Sequence, residues 1–277
     1  LFDVSHMGQV IIEGPGSAAM LESLVPVDID GLADNRQTYA VFTNEQGGVL
    51  DDLIITRWSQ ETFFLVVNAG CKTQDIAHLR AHLSGQTLTV LEHHGLLALQ
   101  GPAAREVIRT VCPGAAELRF MQGCPGIIDG VKVYITCSGY TGEDGFEISV
   151  PGAAAINIAR LLLSDQRVQA VGLGARDSLR LEAGLCLYGH ELTTQIDPVQ
   201  AGLMWSISQS RRAEGERAGG FPGADVIFGR MIDKPALRRV GLRVDGKRPV
   251  REGQVVLDES GRQVGEICSA CYGASVG

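Results

Sequence analysis

Residues 39–58 are YAVFTNEQGGVLDDLIITRW, two apolar runs separated by a polar, glycine-containing turn. The runs at 39–43 and 49–58 are rich in β-branched and aromatic residues, which favour strands. Asparagine and two glycines between the runs favour a tight change of chain direction. The stretch therefore predicts a β-hairpin.

The second strand of this hairpin carries two adjacent aspartates. Because alternate residues of a strand face opposite sides, Asp51 is expected to share a face with Val49 and Leu53. Asp52 is expected to share the other face with Leu50. A carboxylate left unpaired among apolar side chains is costly or shifts its pKa. One explanation is a functional Asp that orients a nitrogen nucleophile or stabilises positive charge; another is an Asp that caps the turn or pairs with an arginine.

A second motif, residues 138–148, combines a glycine-rich loop with the start of a strand and is SGYTGEDGFEI. Glycines allow positive φ and close approach of the backbone. In the strand, Phe146 and Ile148 alternate with Glu147, which therefore faces away from the core. Glu147 is either a solvated residue or an acceptor for a donor-rich heterocycle in a cleft. Tyr140 either stacks on a planar ligand or fills a corner.

A third motif, residues 172–184, is GLGARDSLRLEAG and predicts a helix between glycines. Arg176 and Arg180 are one turn apart, so both guanidinium groups lie on the same face as small apolar residues. Two interpretations remain open. The arginines bind a ligand carboxylate, or they form structural ion pairs with acids such as Asp177 and Glu182.

Strand and helix patterns alternate along the rest of the chain without a dinucleotide-binding fingerprint, which predicts an α+β fold. Strands are expected near residues 10–12, 63–67, 96–99, 131–136 and 146–150, and helices near 18–24, 72–83, 103–111, 153–163 and 174–184. Short apolar runs at 240–244, 255–257 and 264–267 are typical of a small β-barrel or sandwich. Residues 208–222, rich in Arg, Gly and Glu, are expected to form an exposed connection.

The composition excludes several classes of function. The chain has 277 residues, of which 45% are hydrophobic, and a formal charge of −8. An acidic chain has no general attraction to a phosphate backbone, so nucleic acid is not expected as a partner. Its apolar stretches are much shorter than the roughly 20 residues of a membrane span, so none is expected. The first residues lack the basic and apolar parts of a secretory leader.

The seven cysteines are odd in number and widely spaced, which favours reduced thiols in a cytosol-like compartment. Cys268 and Cys271 form a Cys-x-x-Cys pair, but a zinc site normally needs a second pair or two histidines at matching spacing. His6, His93 and His94 do not supply it, so no metal is expected.

The ordered motifs resemble those of the glycine cleavage T-protein family. The matching blocks are LFDVSHM at 1–7, FTNE at 42–45, GGVLDDLI at 47–54, VNAG at 67–70, ALQGP at 98–102, GYTGEDGFEI at 139–148 and ARDSLRLEAGL at 175–185. Each block alone is modest, whereas the ordered set is specific and spans essentially the whole chain.

The resemblance implies a multi-lobed α+β aminomethyltransferase fold. Residues 1–234 would form two folate-binding lobes around a central hollow, and residues 235–277 would begin a C-terminal β-barrel that is incomplete here. The implied reaction takes the aminomethyl group from the lipoyl arm of the H-protein, releases ammonia and forms 5,10-methylenetetrahydrofolate. Tetrahydrofolate is then a co-substrate, and no metal is implied. The implied compartment is a bacterial cytoplasm, which we prefer, or the mitochondrial matrix.

The resemblance also assigns roles by motif position. Asp52 is similar to the family's catalytic acid beside the folate nitrogens, Glu147 to the acceptor for the pterin N–H groups, and Arg176 to a folate-contacting arginine. Further folate contacts are implied at Tyr140, at the backbone of Val67 and Asn68, at Tyr39 and at Phe120. Folate nitrogens are weak nucleophiles, so orientation and a carboxylate that stabilises positive charge are what the protein would supply.

Two other functions would use a similar folate cradle. One is a tetrahydrofolate-dependent demethylase of a sulfonium or methylamine compound. The other is a non-catalytic, folate-binding protein of the iron–sulfur maintenance type, which would bind folate without turnover. The paired aspartates and the long match at 176–185 favour the aminomethyl reaction over the demethylase.

Overall fold

The computed structural model describes residues 1–246 and 248–275 of the chain. Its strands are β1 (Phe2–Asp3), β2 (Gly8–Glu13), β3 (Arg36–Thr43), β4 (Val49–Ser59), β5 (Thr62–Val67), β6 (Thr87–Val90), β7 (His94–Gln100), β8 (Gln122–Ile128), β9 (Val131–Cys137), β10 (Gly145–Pro151), β11 (Val255–Leu257) and β12 (Gln263–Glu266). Its α-helices are α1 (Ser17–Glu22), α2 (Lys72–Ala81), α3 (Ala104–Val111), α4 (Gly152–Leu163), α5 (Leu173–Glu182) and α6 (Ala224–Asp233).

Ten strands form one antiparallel sheet in the order β1-β7-β10-β9-β8-β3-β4-β5-β2-β6. The contact between β8 and β3 is narrow, since its register consists of the pair Arg36 and Gln122. On one side of this seam, α3 and α4 pack on a core that includes Phe146 and Ile148. On the other side, α1 and α2 pack on a core that includes Leu53 and Ile55. The sheet therefore has two halves, each with its own hydrophobic core.

A third hydrophobic cluster joins the two halves. Phe64 and Val66 of β5 pack with Leu96 and Ala98 of β7 and with Tyr134 of β9. These side chains point away from the two helix-covered cores, because strand residues alternate between faces. The faces of β5 and β7 that are turned away from the helices therefore meet in this cluster, between the two halves.

The predicted hairpin is confirmed, but one feature of its second strand differs from the expectation. Phe42 pairs with Asp51 while Thr43 pairs with Val49, so Leu50 is an extra residue in a β-bulge. Val49 therefore packs in the cluster on the Asp52 side of the strand, and Leu50 packs against the core on the Asp51 side. The predicted faces of Val49 and Leu50 were wrong because a bulge inverts the alternation.

Other predicted elements are mostly present, with differences where local pattern is weak. No strand forms at 240–244, where Val240 and Leu242 are exposed, because a strand needs a paired neighbour to satisfy its backbone. Strand β8 was not predicted, since glycine and proline in its sequence disfavour strands. Residues 208–222 are not simply exposed, because Arg211 is buried and binds Glu22 Oε2 at 3.0 Å.

The C-terminal residues form a separate β11–β12 pair, which confirms the strands predicted at 255–257 and 264–267. This segment contacts α5, where Arg180 Nη2 donates to Ser269 Oγ at 2.9 Å and Ser178 Oγ donates to the Tyr272 carbonyl at 2.9 Å. A boundary between residues 234 and 235 stays a prediction. Of the helices in the described part of the chain, none is both long and apolar enough to cross a bilayer.

A glycine substitution tests the close packing of the hairpin turn against the backbone of Thr194. A Cβ at Gly48 would overlap the backbone carbonyl of Thr194, whereas a Cβ at Gly229 within α6 meets no atom within 4 Å. We expect Gly48→Ala to lower the free energy of unfolding by about 1–3 kcal/mol. The control Gly229→Ala should leave it unchanged or raise it by up to about 1 kcal/mol. Urea unfolding checks both, and equal stability of the two variants would contradict the close approach at the turn.

Candidate functional site

Asn68 contacts both aspartates of β4. It follows β5 directly, and its Nδ2 donates to Asp51 Oδ1 at 3.0 Å, to Asp52 Oδ1 at 2.8 Å and to the Asp52 carbonyl at 3.0 Å. Its backbone N–H donates to Asp51 Oδ2 at 3.3 Å. Asp51 is fully buried and Asp52 is half-buried. Asn68 therefore fixes the orientation of two carboxyl groups that point to opposite faces of the strand.

Asp52 titrates near neutrality. Burial raises the pKa of this carboxyl from its ordinary value to about 7, and the nearby charge of Asp51 acts in the same direction. Hydrogen bonds from Tyr39 and Asn68 stabilise the ionised form and oppose the rise. A carboxyl with a pKa near ambient pH can hold or release a proton at little cost, which is a property of catalytic acids and bases.

Tyr39 covers Asp52 from the neighbouring strand. Its register partner on β4 is Ile54, two residues beyond Asp52 and on the same face. Burial, followed by the charge of Asp52, raises the pKa of the Tyr39 hydroxyl well above its ordinary value, so it remains a donor to that carboxyl. The Tyr39 ring lies 5.1 Å from the ring of Trp205, which is 63% exposed. Trp205 was not predicted as a site residue, because its apolar surroundings, AGLMWSI at 201–207, are typical of a core segment.

Glu147 has the orientation predicted from the strand pattern. Phe146 and Ile148 lie in a core, while Glu147 is half-buried on the opposite face of β10. Its Oε2 accepts a hydrogen bond from Ser138 Oγ at 2.9 Å. Its register partner on β7 is Ala98, a member of the cluster that joins the two halves. The carboxylate therefore lies on the face of the sheet that is turned toward the other half.

Arg176 and Tyr140 form a cation–π contact, with the guanidinium carbon 4.8 Å from the ring centroid. The Tyr140 hydroxyl donates to the backbone carbonyl of Cys186, which fixes the ring. Arg176 Nη1 is buried and has no hydrogen-bond partner among the described residues. Burial lowers the pKa of Arg176, and the charge of Glu147 opposes this change. A buried donor without a partner is costly unless a ligand satisfies it.

Tyr140 is affected by the charges of Asp52 and Arg176, and Arg176 is affected by that of Glu147. Burial raises the pKa of Tyr140, and the charges of Arg180, Asp52 and Arg176 act on it from nearby. Arg176 in turn feels the charge of Glu147. Asp52 and Glu147 come from different halves of the sheet, and each is close enough to one member of the Tyr140–Arg176 contact to affect its pKa. The four side chains offer an acid with a pKa of about 7, an aromatic face, an N–H donor and a carboxylate.

The two arginines predicted to share a helix face have different roles. Arg180 is 1% exposed and its guanidinium binds Asp177 Oδ1 at 2.8 Å and Glu191 Oε2 at 2.9 Å. The structural ion-pair interpretation is therefore correct for Arg180. Arg176 differs from it, since its buried Nη1 has no hydrogen-bond partner within residues 1–246 and 248–275. Glu191 was not predicted as the partner of Arg180. It lies nine residues beyond the end of α5, and only the fold of residues 183–191 brings it back to the helix.

The remaining predicted contacts are placed as follows. The Val67 backbone belongs to the ladder between β5 and its neighbours, with register partners Gly8 and Leu53. The Asn68 N–H donates to Asp51. The Asn68 carbonyl accepts the N–H of Cys71 at 3.1 Å and has one further lone pair for a ligand. Phe120 is 71% exposed, and its ring makes none of the aromatic contacts seen among the described residues. The structure does not bring Phe120 together with the other predicted site residues.

Metal-binding groups are also limited. Within residues 1–246 and 248–275, no group of three or more His, Cys, Asp or Glu side chains is arranged to hold a metal ion. Cys268 and Cys271 are exposed and not joined in a disulfide.

Comparisons with known proteins identify the family of the chain. Residues 1–211 match the model of a protein family described as the GCVT N-terminal domain. The mitochondrial aminomethyltransferase of Flaveria anomala is 45% identical over 282 residues, which cover 98% of this chain and 68% of that protein. The probable mitochondrial aminomethyltransferase of Schizosaccharomyces pombe is 41% identical over 282 residues, covering 100% of this chain and 71% of that protein.

A solved structure shows the same fold. The glycine cleavage system aminomethyltransferase T from Bartonella henselae superposes with a TM-score of 0.90 at 41% sequence identity. The match covers 99% of this chain and 74% of that chain. An identity above 40% over nearly the whole chain, a matching family model and a shared fold agree with one another. The chain therefore belongs to the aminomethyltransferase family of the glycine cleavage system.

Proposed function

We propose that this protein transfers an aminomethyl group from the lipoyl arm of an H-protein to tetrahydrofolate, releasing ammonia and forming 5,10-methylenetetrahydrofolate. The observation that carries the proposal is the half-buried carboxyl of Asp52, which titrates near pH 7 and is held by Tyr39 and Asn68. The region it shares with Glu147 and Arg176 has the donors and acceptors that a pterin requires. Membership of the aminomethyltransferase family supports the reaction class.

The residues present fit tetrahydrofolate as a substrate. Glu147 is an acceptor suited to the amino and ring N–H groups of a pterin. The buried Arg176 Nη1, which has no partner among the described residues, would donate to an acceptor of the same ligand. Tyr140 offers a ring face held in place by its bond to Cys186. Tyr39 and the Asn68 carbonyl are proposed as additional contacts, whereas Phe120, which lies apart from these residues, is not. Bound folate would supply the nitrogen atoms that accept the one-carbon unit.

Asp52 has two roles in this proposal. Its ionised carboxylate stabilises the positive charge that develops on the transferred carbon, because a fixed charge in a region shielded from water acts strongly. Its position, set by Asn68 and Tyr39, orients the acceptor nitrogen. Holding reactants in such a geometry lowers the barrier by several kcal/mol. Glu147 and Arg176 contribute by fixing the ring that carries the nitrogen.

The reaction requires a lipoylated H-protein as partner and tetrahydrofolate as co-substrate; no metal and no nucleic acid are part of the proposal. For the compartment we keep the cytoplasm and the mitochondrial matrix as candidates. The mitochondrial names of the plant and yeast relatives support the second.

An assay with aminomethylated H-protein and tetrahydrofolate tests the function directly. We expect ammonia release that depends on both substrates. Tight folate binding without ammonia release would instead support the non-catalytic folate-binding function. Folate-dependent demethylation of a sulfonium or methylamine compound, without ammonia release from H-protein, would support the demethylase.

Substitution of Asp52 separates chemistry from binding. Asp52→Asn keeps the shape of the side chain but cannot ionise, so we expect kcat to fall by about 100-fold or more. The Kd for tetrahydrofolate should change by less than about threefold. Asp129→Asn is a matched control, because Asp129 is exposed and has the positive φ that asparagine tolerates. Equal loss of kcat and affinity in Asp52→Asn would make Asp52 a binding residue only.

The pKa of Asp52 predicts opposite pH dependences for activity and stability. Activity needs the ionised form, so kcat/KM should fall as the pH drops below about 7. The folded protein favours the neutral form, since its pKa lies above the unfolded value of about 4. The contribution of Asp52 to the free energy of unfolding is therefore present at low pH and lost as the pH rises from about 4 to about 7. Both dependences should be absent in Asp52→Asn, and an unchanged activity profile in that variant would contradict the assignment.

Glu147 should affect binding more than chemistry. Glu147→Gln removes a charged acceptor worth about 1.5–3 kcal/mol, so the Kd for tetrahydrofolate should rise by about 10-fold to 100-fold. At saturating folate, kcat should fall by less than about 10-fold. The exposed Glu143, in the loop that precedes β10, provides the control Glu143→Gln. Isothermal titration calorimetry measures the affinities, and a similar Kd for both variants would contradict the proposed pterin contact.

A further inference from the structure

Asp75 is a buried carboxyl group to which the proposed mechanism assigns no role. It lies in the first turn of α2 and is 1% exposed. Neither of its carboxyl oxygens meets a hydrogen-bond donor among the described residues. The fully buried carboxyl of Asp51 lies within hydrogen-bonding reach of it. Two ionised carboxylates side by side in a protein interior repel each other strongly and are poorly solvated.

The donors around the pair decide which carboxyl carries the charge. Asp51 accepts hydrogen bonds from the backbone N–H of Asn68 at 3.3 Å and from its Nδ2 at 3.0 Å. Asp75 accepts none. A protonated carboxyl, however, is itself a donor. The arrangement that leaves fewest groups without a partner puts the proton on Asp75, directed at Asp51, which keeps its two hydrogen bonds from Asn68.

We propose that Asp75 is a positioning residue for the aminomethyl transfer: its protonated carboxyl donates to Asp51, and the pair holds Asn68, which in turn orients Asp52. The positioning role rests on the proposed function. The proton that Asp75 shares with Asp51 does not depend on that function. The geometry requires that Asn68 Nδ2 serve Asp51 and Asp52 at once. Movement of Asp51 would therefore be transmitted to the Asp52 carboxyl across the strand.

The groups facing the pair leave its charge uncompensated. Burial raises the pKa of the Cys71 thiol to about 12, and burial also raises the pKa of Tyr188, so both are neutral near pH 7. Burial raises the pKa of Asp75, and its contact with Asp51 adds to the rise. The remaining charged group is Asp52, whose pKa is raised by burial and by Asp51. A pair with one proton carries a single negative charge, and a pair with none carries two.

The pKa of Asp52 reports the total charge of the Asp51–Asp75 pair. Carbon NMR of labelled carboxyl groups measures this pKa. If Asp75 is protonated, Asp75→Asn leaves the charge unchanged, and the pKa of Asp52 should shift by less than about 0.3. Asp51→Asn removes the charge and should lower that pKa. A fall of about one unit or more in Asp75→Asn would show that both carboxyls were ionised and would overturn the shared proton.

Infrared spectroscopy supplies an independent reading. Burial and the contact with Asp51 raise the pKa of Asp75 to about 9, whereas that of Asp52 is about 7. Near pH 8, where Asp52 is mostly ionised, the wild type should therefore retain a protonated carboxyl band. That band should disappear in Asp75→Asn and persist in Asp129→Asn. Absence of the band in the wild type would overturn the proposal. Neither spectroscopic measurement needs turnover, so a protein that releases no ammonia refutes the proposed function and leaves the shared proton to be decided separately.

Kinetics test the positioning role. Asp75→Leu removes the donor, and we expect kcat to fall by about 10-fold or more while the Kd for tetrahydrofolate changes by less than about threefold. Asp75→Asn keeps a donor and should recover most of the lost kcat. A lowered melting temperature with unchanged kcat per folded molecule would make Asp75 purely structural and overturn the positioning role. If Asp75→Leu does not fold, the pKa of Asp52 in Asp75→Asn still decides the charge of the pair.

Discussion

The site depends on one side-chain amide that serves two carboxyl groups. Asn68 donates to Asp51 on the buried face of β4 and to Asp52 on the face between the two halves of the sheet. Without such a donor, adjacent carboxyls at this depth would repel each other and lack solvation. Because Asn68 follows β5 directly, the pairing of β4 with β5 places the amide where both carboxyls reach it. The bulge at Leu50 belongs to the same strand and changes which apolar side chains flank each acid.

The narrow seam between β3 and β8 explains how residues far apart in sequence meet. Each half of the sheet covers one face with helices, and the other faces meet at the cluster around Phe64 and Ala98. Asp52 and Glu147 lie on these inner faces, one from each half. Tyr140 and Arg176, both outside the sheet, contact each other, and Asp52 acts on the pKa of Tyr140 as Glu147 does on that of Arg176. In the proposed function the protein therefore supplies position and fixed charge, while the acceptor nitrogen comes from the substrate.

Much of this was predictable from local sequence, because strand periodicity and turn chemistry act over a few residues. The hairpin at 39–58 and the inward core residues around Glu147 are examples. The order of short motifs identified the family. Features set by distant chain segments were not predictable: the bulge at Leu50, the exposed Trp205 beside Tyr39, the pairing of Arg180 with Glu191 and the contact between Asp51 and Asp75. The missing strand at 240–244 has the same cause, since apolar residues alone do not supply a pairing partner.

The central claim is that Asp52 and Glu147 act on the same folate molecule from opposite halves of the sheet. A crystal structure of the protein with bound tetrahydrofolate tests it most directly. We expect the Asp52 carboxyl to lie within hydrogen-bond distance of the folate nitrogen atoms that accept the aminomethyl carbon. Glu147 should lie at the amino edge of the pterin. Folate bound elsewhere, or in contact with only one of the two carboxyls, would contradict the account.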